Sequence, residues 1–125
     1  MDKKKVMIVD DEEDFTKITK LNLEATGKFE VFTLSNAKDI ISHVHKFAPD
    51  LILLDILMPK IGGIEACEML NNDSAGKGIP IIVLSALDKY KDKANAYKLG
   101  IVDYIVKPID KSALISKIEK ALQFK

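Results

Sequence analysis

The chain of 125 residues contains only one cysteine, Cys67, so it cannot form an intramolecular disulfide bond. Such sparse use of cysteine is typical of proteins in reducing compartments, which favours the cytoplasm. No long uncharged segment is present either, because the longest, Gly78–Leu87, is far shorter than a bilayer span requires. The first residues also lack the pattern of a signal peptide. The composition therefore predicts a cytoplasmic protein with no membrane partner.

Neither sign of charge is in excess in this sequence. Lysine and arginine together number 19, as do aspartate and glutamate, so the formal net charge is zero. Nucleic-acid binders usually carry a basic surplus, and we therefore expect no nucleic-acid binding by this domain. The sequence also shows no internal repeat, low-complexity tract or interior linker. With 47% apolar and 30% charged residues, residues 1–125 are predicted to form a single globular domain.

Five short apolar runs, rich in valine, isoleucine and leucine, have the length and composition of β-strands. They are Val6–Val9, Glu30–Leu34, Leu51–Leu54, Ile79–Leu84 and Val102–Val106. Val6–Val9, Leu51–Leu54 and Ile81–Leu84 show no polar alternation. That pattern is typical of strands buried on both faces of a parallel sheet.

Amphipathic segments alternate with these runs, and each is predicted to be a helix. Their apolar faces are Phe15, Ile18, Leu21, Asn22 and Ala25; Ala37, Ile40, Ile41, Val44 and Ala48; Ile64, Cys67 and Leu70; Tyr90, Ala94 and Tyr97; and Leu114, Ile115, Ile118, Ala121 and Leu122. Ser35 or Asn36 is expected to cap the second helix, Asp88 the fourth, and Asp110 or Ser112 the fifth. Five β-α repeats predict a doubly wound α/β fold, an open parallel sheet with helices on both faces.

Polar residues follow four of the five predicted strands at the end where such sheets bind ligands. Asp10 and Asp11 follow the first strand, Asp55 the third, Ser85 the fourth and Lys107 the fifth. Three carboxylates in one crevice repel one another unless a cation or proton intervenes, so removing Asp10 or Asp11 should stabilise the metal-free protein. Oxygen ligands without nearby histidine or cysteine favour Mg²⁺. The lysine and the hydroxyl would suit a phosphoryl group beside that ion.

Each of these residues also has an ordinary structural explanation. The acidic run from residue 10 to 14 could stabilise a helix dipole, and Asp55 could be a turn residue. Ser85 could be a capping hydroxyl and Lys107 a solvated side chain. Their joint occurrence at the ends of predicted parallel strands favours a functional site.

These strand-end residues lie within longer segments that resemble a known family. The sequence resembles the receiver domain of bacterial two-component response regulators over nearly its whole length. The matching segments are Val6–Glu12 (VMIVDDE), Pro49–Pro59 (PDLILLDILMP), Gly62–Glu65 (GGIE), Pro80–Ala86 (PIIVLSA) and Gly100–Pro108 (GIVDYIVKP). The resemblance implies a flavodoxin-like (βα)5 three-layer sandwich whose five parallel strands lie in the order 2-1-3-4-5.

The resemblance also implies the roles of the residues at the strand ends. Asp55 would accept a phosphoryl group from the phosphohistidine of a sensor histidine kinase or a phosphotransfer protein. Asp10, Asp11 and Asp55, with the backbone carbonyl of Leu57, would bind Mg²⁺. Ser85 and Lys107 would contact the phosphoryl oxygens.

A change of conformation on phosphorylation is a further implication of the resemblance. Ser85 would move inward and Tyr104 would change rotamer into the vacated space. The surface formed by the fourth predicted helix, the fifth strand and the fifth helix would then bind a downstream protein. The chain would be a monomer or a phosphorylation-dependent dimer.

Such a protein is not a turnover enzyme, but it catalyses its own phosphotransfer and its own dephosphorylation. Two positions flank the approach of the hydrolytic water, two residues after Asp55 and two after Ser85, here Leu57 and Leu87. Neither side chain can hydrogen-bond a water molecule. We therefore expect slow self-dephosphorylation.

Three alternatives are open. A haloacid-dehalogenase-type phosphohydrolase would need an aspartate two residues after the nucleophile, where this chain has Leu57. A flavodoxin-like cofactor carrier would need a phosphate-binding loop where the acidic run begins at Asp10. A degenerate receiver would act only as a docking module. Such a module would not need the acidic pair, Asp55, Ser85 and Lys107, all of which are present here.

Three other features have structural interpretations. Cys67 lies on an apolar stripe and is predicted to be a core residue. His43 and His45 are two residues apart on a predicted helix, share no face, and so form a poor metal pair. The Lys107–Pro108 peptide bond is a candidate for the cis form.

Overall fold

The computed structural model of the chain describes residues 3–55, 63–85 and 100–123. The strands are β1 (Lys4–Val9), β2 (Phe29–Leu34), β3 (Leu51–Asp55), β4 (Ile81–Ser85) and β5 (Ile101–Val106). The helices in the described ranges are α1 (Glu13–Glu24), α2 (Ile40–Phe47), α3 (Gly63–Asn71) and a C-terminal helix (Lys111–Leu122). The predicted helix with Tyr90, Ala94 and Tyr97 lies outside the described residues, as do Leu57 and Leu87.

All five strands are parallel and lie in the order β2-β1-β3-β4-β5, as the resemblance implied. The strand order reverses between β1 and β3, which is where open α/β sheets bind ligands. Val9 pairs with both Leu34 and Leu54, and Ser85 pairs with Val106. The carboxyl ends of the strands therefore reach one common edge.

The central strands are buried on both faces, as their unbroken apolar runs predicted. Met7 and Ile52 belong to a core cluster with residues of α2 and α3. Ile8 and Leu53 belong to a second cluster with residues of α1 and the C-terminal helix. Since alternate side chains of a strand point to opposite faces, these clusters lie on opposite sides of the sheet. The result is the expected three-layer α/β/α sandwich.

Phe15 packs against the core as predicted, but the rest of the apolar face predicted for α1 is wrong. Its buried residues are Thr16, Thr19 and Leu23, whereas Ile18 is 58% exposed and Leu21 is 69% exposed. The threonines tolerate burial because a threonine hydroxyl can bond within the helix, as that of Thr16 does in donating to the carbonyl of Glu13. Threonines take the place of larger apolar residues on the buried side of this helix.

Two polar side chains fix the rotation of α1 against the sheet. Glu24 accepts a hydrogen bond from the backbone N–H of Val31 at 3.1 Å, and Lys20 donates to the carbonyl of Val31 at 3.1 Å. Val31 lies in β2, the outermost strand on this side, so these bonds also occupy backbone groups of a sheet edge. The helix turns its Lys20 and Glu24 side towards the sheet and leaves Leu21 outside.

The helix caps agree only in part with the sequence prediction. The helix α2 begins after Asp39, not at Ser35 or Asn36, because Asn36 accepts the N–H of Lys38 and forms a turn before the helix. The C-terminal helix is capped as expected by Asp110, whose carboxylate accepts the N–H of Ala113.

The remaining structural interpretations are confirmed. Cys67 is fully buried, and burial raises the pKa of its thiol to about 12, so it is not a reactive thiolate. His43 lies against the ring of Phe32, while His45 hydrogen-bonds Asp73 at 3.0 Å, so the two histidines have separate partners. None of the helices within the described ranges is long and apolar enough to cross a membrane.

Two leucines of α1 give a matched test of its orientation. We expect Leu23→Ala to lower the free energy of unfolding by about 2–5 kcal/mol, because it leaves a cavity in the core. Leu21→Ala should change it by no more than about 0.5 kcal/mol, because that side chain is largely in water. Urea denaturation of both variants measures the difference. Equal losses would mean that α1 is rotated from the orientation described.

Candidate functional site

Three aspartates meet at the common edge of the strand ends. One carboxylate oxygen from each of Asp10, Asp11 and Asp55 lies within 4.8 Å of the others. Asp10 is 1% exposed and Asp55 is 5% exposed, while Asp11 is exposed to solvent. The convergence predicted from the sequence is therefore present, with two aspartates below the surface and one at its mouth.

Local backbone bonds hold the acidic pair in place. The N–H of Asp10 donates to the carbonyl of Leu34, which extends the β1–β2 pairing by one residue. The carboxylate of Asp10 then accepts the N–H of Glu12 at 2.9 Å and turns the chain into α1. Asp55 is the last residue of β3 and pairs with Leu84 of β4. The two buried carboxylates thus lie at the carboxyl ends of two adjacent central strands.

Lys107 crosses the crevice from the end of β5. Its ammonium nitrogen lies 2.5 Å from Oδ2 of Asp10 and 2.7 Å from Oε1 of Glu12. The same nitrogen lies 4.4 Å from the ring centroid of Phe15, which is cation–π distance. The peptide bond from Lys107 to Pro108 is cis, as the sequence indicated. Lys107 therefore has two carboxylate partners and an aromatic platform.

The surroundings keep Lys107 charged. Burial by itself would lower the pKa of this lysine, but hydrogen bonds to Asp10 and Glu12 outweigh it and raise the pKa above its ordinary value. The charges of Asp10 and Asp55 act in the same direction. The crevice thus contains a permanent positive charge beside its cluster of carboxylates.

Two of the contacts of Lys107 are not predicted by the sequence. Glu12 stands within a continuous acidic run, and Phe15 lies on the predicted apolar face of the first helix, so neither is marked as a partner of a distant lysine. The signal available was the position of Glu12 directly after the acidic pair, one helical turn before Phe15. Only the tertiary structure shows that both face the end of β5.

Ser85 and Tyr104 lie on the neighbouring strands β4 and β5. Ser85 ends β4 opposite Val106, and it is described through its backbone alone. Tyr104 pairs with Val83 and is partly buried against the core cluster next to α2 and α3. Leu57, whose carbonyl was expected to bind the metal, lies outside the described residues.

The donor set suits a hard divalent cation. It consists of carboxylate oxygens, and its spread of at most 4.8 Å is close to twice the metal–oxygen distance of about 2.1–2.6 Å in magnesium and calcium sites. Three carboxylates face one ammonium group, so net negative charge is left for such an ion to balance. Asp10, Asp11 and Asp55 can therefore hold a divalent metal.

Comparison with known proteins decides the family. The family model of the response regulator receiver domain matches residues 6–119. The chain belongs to this family. It is a receiver domain of two-component response regulators, and the phosphohydrolase and flavodoxin-like alternatives are set aside.

Curated relatives of this receiver domain are longer proteins. A protein of Guillardia theta described as "Probable transcriptional regulator ycf27" is 38% identical over 121 residues, which are 97% of this chain and 46% of that protein. The alkaline phosphatase synthesis transcriptional regulatory protein PhoP of Bacillus subtilis is 34% identical over 120 residues, 96% of this chain and 49% of that protein. The chain spans about half the length of the curated relatives it matches.

Solved structures agree with the receiver fold. The chemotaxis protein CheY4 of Vibrio cholerae superposes with a TM-score of 0.89 at 24% identity, covering 96% of this chain and 99% of that chain. The N-terminal domain of the nisin resistance regulator NsrR superposes with a TM-score of 0.83 at 30% identity, covering 97% and 99%. The first likeness shows the fold alone. The second is a likeness in fold, at higher sequence identity, to a domain of a response regulator.

The receiver geometry changes one expectation about stability. Repulsion among carboxylates predicted that loss of Asp10 or of Asp11 would stabilise the metal-free protein. Asp10, however, is the buried partner of Lys107, so we expect Asp10→Ala to lower the free energy of unfolding by about 1–3 kcal/mol. Asp11→Ala should still raise it, because Asp11 is exposed and its carboxylate lies close to the two buried carboxylates, which repel it.

Denaturant unfolding in the presence of a chelator measures both variants. Asp14→Ala serves as a control, because Asp14 is an exposed aspartate of the same acidic run. An Asp10→Ala protein more stable than the wild type would contradict the pairing of Asp10 with Lys107.

Proposed function

We propose that Asp55 is the phosphoacceptor of this receiver domain and that it takes its phosphoryl group from a phosphohistidine. The observation that carries the proposal is the convergence of Asp10, Asp11, Asp55 and Lys107 at one edge of the sheet. Asp55 is the carboxylate at the end of the central strand β3, next to the point where the strand order reverses. A donor entering from outside the strand ends would meet this carboxylate.

The proposed reaction is a direct transfer between two nucleophiles. A carboxylate oxygen of Asp55 forms a bond to phosphorus while the P–N bond to the donor imidazole breaks. The electron pair of that bond stays on the imidazole nitrogen, and the product on the receiver is an acyl phosphate. With a small donor such as acetyl phosphate, the bond that breaks is P–O and acetate leaves. The donor protein would be a sensor histidine kinase or a phosphotransfer protein.

A carboxylate and an anionic phosphoryl group repel each other, so the transfer needs positive charge at the site. Asp10, Asp11 and Asp55, together with the carbonyl of Leu57, are the groups proposed to hold Mg²⁺. Once bound, the ion would neutralise charge and orient the phosphoryl oxygens. Lys107, already held at Asp10, would provide the second positive charge.

The proposal extends to the response of the domain. The Ser85 hydroxyl and the Lys107 ammonium would bond the new phosphoryl oxygens, and Tyr104 would move with Ser85. A downstream protein would read this change on the surface formed by the predicted helix after Ser85, β5 and the C-terminal helix, with the receiver as a monomer or as a dimer formed on phosphorylation. Relatives are named as transcriptional regulators, so a transcriptional output is one form this response could take.

The phosphoacceptor is tested by phosphorylation with acetyl phosphate and Mg²⁺ followed by intact mass measurement. We expect the wild type and the control Asp14→Asn to gain one phosphoryl group and Asp55→Asn to gain none, because its amide is not a nucleophile for phosphorus. Omission of Mg²⁺ should prevent the gain in the wild type and in Asp14→Asn. Modification of Asp55→Asn at the wild-type rate would refute the assignment. A wild type that never gains the group would instead support a docking module without phosphotransfer.

Slow dephosphorylation is proposed on the basis of Leu57 and Leu87. Neither side chain can position the water that hydrolyses an acyl phosphate. We expect Leu57→Asn combined with Leu87→Glu to shorten the lifetime of the phosphorylated protein, because both new side chains can hold that water. The measurement is decay after removal of the donor at constant Mg²⁺, with Leu21→Asn on the exposed side of α1 as the control. A lifetime that the double substitution leaves unchanged would contradict the role of these two leucines.

A further inference from the structure

The two carboxylate partners of Lys107 differ in their access to water. The side chain of Asp10 is 0% exposed, whereas that of Glu12 is 60% exposed. Both oxygens lie within hydrogen-bond distance of the same ammonium nitrogen. The free-energy cost of breaking the ion pair with Lys107 therefore differs between Asp10 and Glu12.

Loss of the bond to Asp10 would leave a buried carboxylate without its counter-charge, which is strongly unfavourable. Loss of the bond to Glu12 would return an exposed carboxylate to water, and exposed pairs contribute little to stability. When new negative charge arrives at Asp55, Glu12 is therefore the partner that Lys107 can leave.

The surroundings of the ammonium favour such an exchange. The ring of Phe15 lies 4.4 Å from the nitrogen and attracts it whichever carboxylate it faces. The charge of Asp55 already acts on Lys107. An ammonium group has three N–H donors, and Asp10 and Glu12 receive two of them. Turning away from Glu12 above Phe15 would free one donor for an oxygen at Asp55.

We propose that Glu12 is a positioning residue that restrains Lys107 in the unphosphorylated receiver and is exchanged for a phosphoryl oxygen on phosphorylation. This inference rests on the proposed function of Asp55. The bond to Glu12 stabilises the unphosphorylated state and has no counterpart once Lys107 has turned. Glu12 therefore opposes phosphorylation, and the strength of its bond to Lys107 sets how readily the ammonium group changes partner.

The test compares Glu12→Gln with Glu13→Gln. Both substitutions remove one negative charge from the same acidic run, but in the described part of the chain the ion pairs of Lys107 do not include Glu13. We expect Glu12→Gln to raise the phosphorylated fraction at limiting acetyl phosphate by about two- to fivefold, the factor that a partly exposed ion pair contributes to an equilibrium. Glu13→Gln should leave it near the wild-type value. Equal increases in both variants, or no increase with Glu12→Gln, would overturn the proposal.

A second measurement observes the restraint itself. In the unphosphorylated protein labelled with ¹⁵N-lysine, the ammonium signal of Lys107, assigned by its absence in Lys107→Arg, should exchange with water slowly because two carboxylates hold it. Glu12→Gln should speed this exchange, and Glu13→Gln should not. If Glu12→Gln leaves the exchange rate of the Lys107 signal unchanged, the proposal is also overturned.

This second readout needs no phosphorylation, so it separates two kinds of failure. If the wild type gains no phosphoryl group, the proposed function fails while the restraint on Lys107 is still measured. If the wild type is phosphorylated on Asp55 and the two glutamine variants behave alike, the function stands and the role of Glu12 is refuted.

Discussion

The repulsion among carboxylates at the strand ends is the constraint around which this domain is arranged. Asp10 and Asp55 are almost fully buried within reach of each other and of Asp11, an arrangement that is unfavourable without positive charge. Lys107 provides that charge from a position 97 residues away from Asp10. Only a parallel sheet that brings the carboxyl ends of β1, β3 and β5 to one edge allows such a distant pair to form, so the electrostatics of the site depend on the strand order.

Much of the fold and of the site could be predicted because both are properties of the strands. An unbroken apolar run such as Leu51–Leu54 identifies a strand buried on two faces, and such strands occur in parallel sheets covered by helices. A residue that directly follows the run must then lie at the ligand-binding edge. Asp10, Asp55 and Lys107 could be found in this way because their positions depend on where a strand ends, not on how a side chain turns.

The rotation of α1 and the partners of Lys107 could not be obtained by the same reasoning. The sequence of α1 offers Ile18 and Leu21 as apolar residues, yet Lys20 and Glu24 bind the backbone of Val31 and turn the opposite side to the sheet. A contact of this kind is tertiary and leaves no periodic pattern in the chain. The same holds for Glu12 and Phe15, whose meeting with Lys107 depends on the angle at which α1 approaches the end of β5.

Exposure divides the charged residues of the site into two groups with different physical roles. In the metal-free protein, separating Asp10 from Lys107 would leave a buried charge without its counter-charge, so this pair belongs to the framework of that state. Asp11 and Glu12 are solvated, so each can exchange water or a neighbouring ammonium for a ligand at little cost. A site that must receive a charged group and later lose it needs both kinds of residue. Under the proposed function, the buried pair sets the geometry of the metal-free site, and the exposed carboxylates are the groups that can respond to a change in charge.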